Sequence, residues 1–326
     1  MPDDANTAAR DSARGREAEA PQDIPAPGWK DIAWRSYNEL SDNNIFLAAG
    51  GVTYAVLLSL FPALAALVSI YGLLMNPNQI EQQLNALSGL VPDQIRQLIT
   101  QELHQLVASS HSALGVGVVL GIVLALWSAS RGMSGLMSAL DIAYEEKEER
   151  GFLHFNAVAL GLTLCFLVGG VVVLGLIAAL PSAVQFMHIG GALHWLLLLV
   201  QWPVLVVLWA VVLAVLYRYA PDRRKPQWRW VSPGAIAATI LWIVASIAFT
   251  VYVANFSSYD ATYGSLGGVV VLLTWLYISA FAVLLGAVIN AQSERQTRRD
   301  STSDARPQPL GHRRARAADT VGPSVD

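Results

Sequence analysis

Six histidines, a single cysteine and few carboxylates are the groups in this chain whose types could do catalytic chemistry. Their spacing argues against it. His104, His111, His154, His188, His194 and His312 make no HExxH, HxH or His-Cys pattern, so zinc hydrolysis has no ligand set. No pair of carboxylates lies inside an apolar stretch, where two-metal phosphoryl transfer would need one. Gly264-Ser265 runs on into Leu-Gly and does not make a G-x-S-x-G elbow. Glycine-rich loops of the GxxxxGK[ST] or GxGxxG kind, which cradle phosphates, are missing. Cys165 sits between Leu164 and Phe166 and reads as apolar packing. No catalytic residue, metal ligand or cofactor is therefore expected, and the chain is read as a non-enzyme.

The polar residues that remain stand beside apolar runs, where they could bind or pass something. Thr53 and Tyr54 lie with Gly50, Gly51 and Ser59 next to Phe61-Pro62. Pro62 removes a backbone hydrogen bond and kinks its helix. Gln201 lies near Pro203 inside another apolar run. Broken helices can line a site in transporters, and they also occur as plain kinks. Asn255, Tyr259 and Tyr263 belong to a polar aromatic loop that is either a pathway mouth or an interfacial belt. Trp127 and Arg131 close another apolar run, with Asp141 ten residues on. A helix from Gly132 to Tyr144 could fold Asp141 back to pair with Arg131. Arg131 could otherwise hold an anionic headgroup, or act only as a charged anchor.

These residues hang on an all-α framework of six transmembrane helices. Apolar residues make up 54% of the 326 and charged residues 14%, where soluble domains run near 25%. Mean hydropathy is +0.45. The runs 45–75, 113–130, 155–180, 193–217, 231–254 and 266–290 contain no Asp, Glu, Lys or Arg. About 20 such residues cross a bilayer as a helix. Of the 21 lysines and arginines, all but Arg96 fall in the two terminal segments and in the loops after the second and fourth runs. The positive-inside rule then puts both termini in the cytoplasm of a bacterial inner membrane. With a net charge of −3 there is no global basic excess to hold nucleic acid.

The first run is about 46 Å long as a straight helix, longer than the roughly 30 Å of hydrocarbon, so a break or strong tilt is expected. In the second, small residues recur at Ala113, Gly117, Gly121, Ala125 and Ala129. Such a ladder lets backbones approach closely, either against another span or against a second copy of the chain. Residues 76–112 read as amphipathic helices on the outer side, a cap or a lid. Trp29, Ile32, Ala33, Ser36, Tyr37 and Leu40 share one helix face, suited to the membrane interface or to the protein's own cytoplasmic loops. Residues 1–28 and 293–326 are polar, with Ala-, Pro- and Arg-rich stretches, and read as disordered tails around a membrane domain at 29–292. The first 28 residues lack the apolar stretch of a signal peptide.

Several motifs occur in order along residues 29–292. They are Ala48-Ala49-Gly50-Gly51-Val52-Thr53-Tyr54 with Leu57–Pro62, then Ala139–Tyr144, Glu149–Phe152 and Leu216–Arg224. Tyr263–Gly268, Leu273–Tyr277 and Leu285-Gly286-Ala287 follow. Together they resemble the YihY/BrkB family of bacterial inner-membrane proteins. The resemblance implies six helices and roles in envelope-component export or serum resistance. The family has also carried the label of a ribonuclease, for which this chain lacks metal ligands. Family members often place an acid after Gly-Ala in the last span. Here that position is Val288, so no coupling role is carried over. The expectation is a transporter or lipid-handling protein partnered by the bilayer and anionic headgroups, or else a membrane scaffold.

The topology is checked with single cysteines in a Cys165→Ser background. Positions 90, 187 and 260 should label from outside the cell, and positions 147, 224 and 300 should not. One reversed pair overturns the orientation.

Overall fold

The computed structural model describes residues 11–74, 116–186, 191–255, 267–302, 307–313 and 315–325. The expected outer helices at 76–112, and Tyr259 and Tyr263, lie outside the described residues. A 3-10 turn at Pro21–Asp23 leads into α1 (Ala26–Asp42), α2 (Ile45–Leu74), α3 (Val116–Tyr144), α4 (Phe152–Phe186), α5 (Gly191–Tyr219), α6 (Trp228–Asn255), α7 (Gly267–Glu294) and α8 (Arg316–Asp319). The strand-like pairing among the described residues is an isolated bridge between Pro226 and Thr302. The protein is all-helical, with five described helices long and apolar enough to cross a membrane: Ile45–Leu64, Phe152–Ile177, Leu199–Tyr219, Trp228–Val253 and Gly267–Glu294. The short second run of the sequence opens α3, whose first expected residues are not described.

Apolar length makes these helices, and internal bonding lets them keep polar side chains. Thr53 Oγ1 donates to Ala49 O at 2.7 Å, and Thr163, Thr239 and Thr274 do the same to the carbonyl four residues back. Each hydroxyl is thus satisfied by its own helix, where hydrocarbon could not do so. Pro62, Pro203 and Pro233 lie inside α2, α5 and α6. α3 ends in a left-handed cap. Glu145 has φ 54°, its N–H donates to Ile142 O, and Glu146 N–H donates to Asp141 O. This is a Schellman motif built without glycine.

The chain divides into two compact units. One comprises Met1–Ala55, Gly135–Phe155 and Trp209–Asp326, and the other Val56–Ser134 and Asn156–Leu208. In the first, α6 and α7 meet backbone to backbone. A Cβ on Gly234 would run into Gly286 O and come within 2.6 Å of the Asn290 side chain. A Cβ on Gly286 would lie 2.6 Å from Gly234 O and 2.7 Å from Ala238 Cβ. Phe46 of α2 stacks on Phe281 of α7 at 5.1 Å, and Tyr277 Oη donates to Phe46 O. In the second unit, Leu162, Leu167 and Ala129 are buried, whereas Gly121 is exposed. A Cβ on Gly121 meets no atom within 4 Å. The centre of the small-residue ladder therefore faces open space among the described residues.

Two expectations need correction. The tails are not disordered where they are described. Ala18, Ala20, Ile24, Thr297, Ser301, Arg313 and Ala317 are buried. Ala18 and Ile24 pack with Ile32 and Trp230 in a small core. Composition misled here because polar bonds supply most of the order. Arg313 donates to the carbonyls of Gln308, Arg299, Ala318 and Arg298, and Arg298 N–H donates to Arg16 O. The second correction concerns α1. Its buried side is Gly28, Asp31, Ile32, Arg35 and Ser36, while Tyr37 is 74% exposed. The face read from spacing docks in part: Ile32 and Ser36 are buried and Trp29 packs on the small core, while Ala33 and Tyr37 are exposed and Asp31 and Arg35 join the buried side. Arg35 donates to Gln292 Oε1 and O and to Gln296 Oε1 at 2.7–3.0 Å.

The contrast between glycines is testable by thermal unfolding in detergent. Gly286→Ala should destabilise by about 1–3 kcal/mol, the usual cost of overpacking a tight contact. Gly121→Ala should leave the folded monomer as stable as wild type.

Candidate functional site

Where α3, α5 and α7 end and α6 begins, the first unit collects its buried charge. Arg223, on the turn from α5 to α6, donates through Nη2 to both oxygens of Glu294 at 2.7 and 2.8 Å. Both side chains are fully buried. The Tyr144 ring lies 4.5 Å beneath the guanidinium carbon, and Ser301 Oγ donates to Glu294 Oε2. Burial works to lower the Arg223 pKa, but Glu294, Tyr144 and Glu146 together outweigh it, so the guanidinium is held above its ordinary value. Asn290 completes the joint. It accepts Gly234 N–H at 2.7 Å and donates to Val231 O and Tyr144 Oη.

Beside this pair lies a second cluster around Asp141. Its Oδ1 accepts Asp222 N–H at 2.8 Å, and its Oδ2, 4.0 Å from Arg150 Nη2, has no hydrogen-bond partner. Arg150 is engaged with Glu148 and with Ala220 O. Burial pushes the Asp141 carboxyl up to about 7, with Glu148 adding to the rise. A third cluster clasps the termini. Asp31 takes Arg14 at 2.9 and 3.1 Å and Val325 N–H, and Arg35 reaches Pro323 O.

Inside the membrane-length helices the first unit carries an aromatic group that sequence reasoning missed. Trp209 of α5 lies 5.2 Å from Trp242 of α6, which lies 6.2 Å from Trp275 of α7. Trp242 Nε1 donates to Ser279 Oγ at 3.0 Å. Trp209 Nε1 and Ser246 Oγ are buried with no partner among the described residues. The signal lay in serines and tryptophans spaced four apart on two helices, but only packing shows that they meet.

The residues singled out from sequence fall in different places. Thr53 is buried with its hydroxyl satisfied, and Tyr54 is 64% exposed. Both belong to the first unit, as does Asp141, while Pro62, Trp127, Arg131 and Gln201 belong to the second. Gln201 is buried. Asn255 is the last residue of α6. α3 runs unbroken through Arg131 to Tyr144 and does not fold back. Of the readings left open for Arg131, the pairing with Asp141 is not the one found. Arg131 lies 4.4 Å over the Trp127 ring, and Asp141 turns to Asp222 and Arg150. Ala125 is half-buried and Ala129 is buried; Gly117 lies in the first turn of α3.

Part of this buried network lies on motifs that carried the resemblance: Asp141 and Tyr144, Arg150, and Asp222 and Arg223, while Glu294, Asn290 and Ser301 lie outside them. A family model described as Virulence factor BrkB matches residues 36–310. The chain belongs to the BrkB family. It is 34% identical over 250 residues to a Bacillus subtilis (strain 168) protein named ribonuclease-like protein YfkH, covering 74% of this chain and 86% of that one. It is 27% identical over 287 residues to a UPF0761 membrane protein of Idiomarina loihiensis, covering 81% of this chain and 95% of that one. A UPF0761 membrane protein of Pseudoalteromonas translucida is 28% identical over 274 residues, covering 81% and 85%. No solved structure matches the chain. Three of the quoted motifs, Ala139–Tyr144, Glu149–Phe152 and Leu216–Arg224, fall on joints between helix ends, and Val288, the position at which the resemblance puts an acid in other members, is fully buried.

Asp141 gives a pH test. Its folded pKa is raised above the ordinary carboxylate value, so the folded state holds its proton more tightly than the unfolded chain. Its contribution therefore falls as pH rises from about 4 to about 7. Asp141→Asn should flatten that part of the stability–pH curve and melt above wild type at pH 8, as read by thermal unfolding. An unchanged slope would show that Asp141 titrates normally.

Proposed function

We propose that this protein is a six-span bacterial inner-membrane transporter, or a mover of lipid-linked envelope material, with both termini in the cytoplasm. One observation carries the transport reading. Trp209 Nε1 and Ser246 Oγ are buried inside α5 and α6 with no partner among the described residues. Lipid offers neither atom a hydrogen bond, and an unsatisfied polar atom in an apolar setting costs roughly 1–3 kcal/mol. A chain that served only as a scaffold gains nothing from retaining it. A polar cargo passing along α5 and α6 would use both atoms, and the stacked tryptophans would give it an apolar, rigid wall.

The 20 cations on one side of the sequence-derived spans, against Arg96 alone on the other, support the orientation. The absence of a histidine or paired-carboxylate ligand pattern in the sequence favours a non-catalytic role. The open face at Gly121 suits close approach by a second copy of the chain. Anionic headgroups are the partners proposed for the cytoplasmic cations, although Arg295, Arg298 and Arg299 after the last span are each paired with a carboxylate of the chain, Glu145, Asp11 and Glu17, which a headgroup would have to displace.

The reading is tested with Ser246→Ala and Trp209→Phe in proteoliposomes. Ser246→Ala removes an unpartnered polar atom, so stability should hold or rise slightly, whereas Trp209→Phe also removes ring area packed on Trp242 and should lower it modestly. Uptake of labelled solute, or transfer of labelled lipid between leaflets, should fall severalfold at matched protein level. Retained transport in both variants would remove these residues from the pathway. No transport by wild type across a panel of envelope precursors would favour the scaffold.

A further inference from the structure

The chain between α3 and α4 is held by one arginine with more carboxylates around it than it can serve. Arg150 Nε and Nη2 donate to Glu148 Oε1 and Oε2 at 2.8 and 2.6 Å, and Nη2 also reaches Ala220 O at 2.9 Å. The Arg150 N–H donates to Glu148 Oε1 as well. Residues 148–150 are thereby closed into a tight loop and tied to the end of α5. Two more carboxylates stand just out of reach. Asp141 Oδ2 lies 4.0 Å from Arg150 Nη2, and Asp222 Oδ1 lies 3.8 Å from Arg150 Nε. Each is engaged through its other oxygen: Asp141 Oδ1 accepts Asp222 N–H, and Asp222 Oδ2 accepts Glu149 N–H.

The three carboxylates differ in their access to water. The Glu148 side chain is 28% exposed and that of Asp222 12%, against 5% for Asp141. Asp141 Oδ2 is buried and has no hydrogen-bond partner among the described residues. A buried oxygen left unanswered costs far more on an anion than on a neutral acid. The arrangement with Arg150 on Glu148 is therefore the one that suits a protonated Asp141. The charged groups facing Asp141 are Glu148 and Asp222, which oppose its ionisation, and Arg150, which favours it. Burial is the largest influence and pushes the carboxyl up to about 7, so its proton leaves near neutrality.

We propose that Asp141 and Arg150 form a proton-operated latch: loss of the Asp141 proton draws the guanidinium off Glu148 and frees the segment 145–150 that joins α3 to α4. A shift of about 1 Å brings Arg150 Nη2 within hydrogen-bond distance of Asp141 Oδ2. The buried anion needs the counter-charge, whereas water can solvate the more exposed Glu148. The two arrangements differ only in which carboxylate holds Arg150, and pH sets their populations. In the topology above this face is cytoplasmic, so the latch reads cytoplasmic pH. The inference goes beyond the transport reading and does not depend on it.

The experiment uses the full chain in detergent and hydrogen–deuterium exchange read by mass spectrometry near pH 5.5 and pH 8, each normalised to the intrinsic exchange rate at that pH. In wild type the amides of 145–150 should exchange severalfold faster at the higher pH. Asp141→Asn keeps an oxygen for Asp222 N–H but cannot ionise, so it should stay slow at both. Glu148→Gln weakens the competing acceptor and should be fast at both. Peptides from α7 should exchange alike in all three proteins. Equal rates in wild type at the two pH values overturn the latch. So does a pH dependence that survives in Asp141→Asn or is unaltered in Glu148→Gln, or a loosening of α7 together with the loop. Exchange measures local opening and not flux, so failure here is separable from failure of the transport reading.

Discussion

A buried charge must find its counter-charge or the fold around it fails, and in this protein that constraint acts at Arg223 and Glu294. The two side chains lie on separate elements, the turn after α5 and the last residue of α7, and neither sees solvent. Breaking such a pair by removing one partner typically costs about 3–5 kcal/mol, because the other charge is left stranded. Tyr144 beneath the guanidinium ties in the end of α3, and Ser301 against the carboxylate ties in the C-terminal segment. Four parts of the chain thus converge on one ion pair. Asn290, one turn back on α7, fixes the start of α6 through Gly234 N–H and Val231 O. The absence of side chains at Gly234 and Gly286 lets the two backbones come close enough for that bond.

The order of the terminal segments follows from the same need. Helix ends leave carbonyls without partners. Here arginine and glutamine side chains answer many of them. Arg35 takes Gln292 O, Arg16 takes Gln296 O, and Gln296 takes Arg14 O. The N- and C-terminal segments therefore fasten to α7 and to each other by hydrogen bonds with little apolar burial. Val325 N–H on Asp31 and Pro323 O on Arg35 bring the last described residues back to α1.

Within the membrane-length helices the logic reverses. Threonine hydroxyls are returned to their own backbones and fall silent. Against that background the Trp209, Trp242, Ser246 and Ser279 group stands out, since two of its polar atoms stay unanswered. A helix bundle held only by van der Waals contact has no need of them, which is why the group is the better candidate for the pathway than Thr53 or Tyr54.

By itself the sequence determined that the chain is a helical membrane protein, because apolar length and hydropathy act locally and need no partner. The motifs of the family were legible for the same reason: Asp141, Arg150, Arg223 and Gly286 stand at fixed places in the string. What those residues touch was not legible. A pairing of Asp141 with Arg131 was one of the readings their proximity in sequence allowed, and the unbroken α3 gave Asp141 the partners Asp222 and Arg150. α1 was assigned an apolar face by its period, and Ile32 and Ser36 of that face are buried, but Asp31 and Arg35 are buried beside them, because α7 offers amides and carbonyls there. The tails read as disordered since their composition lacks apolar residues, and composition does not register hydrogen bonds made to carbonyls some 280 residues away. Periodicity reports how an element meets solvent or lipid. Only the tertiary structure decides which buried charge meets which, since that depends on contacts between elements far apart in the chain.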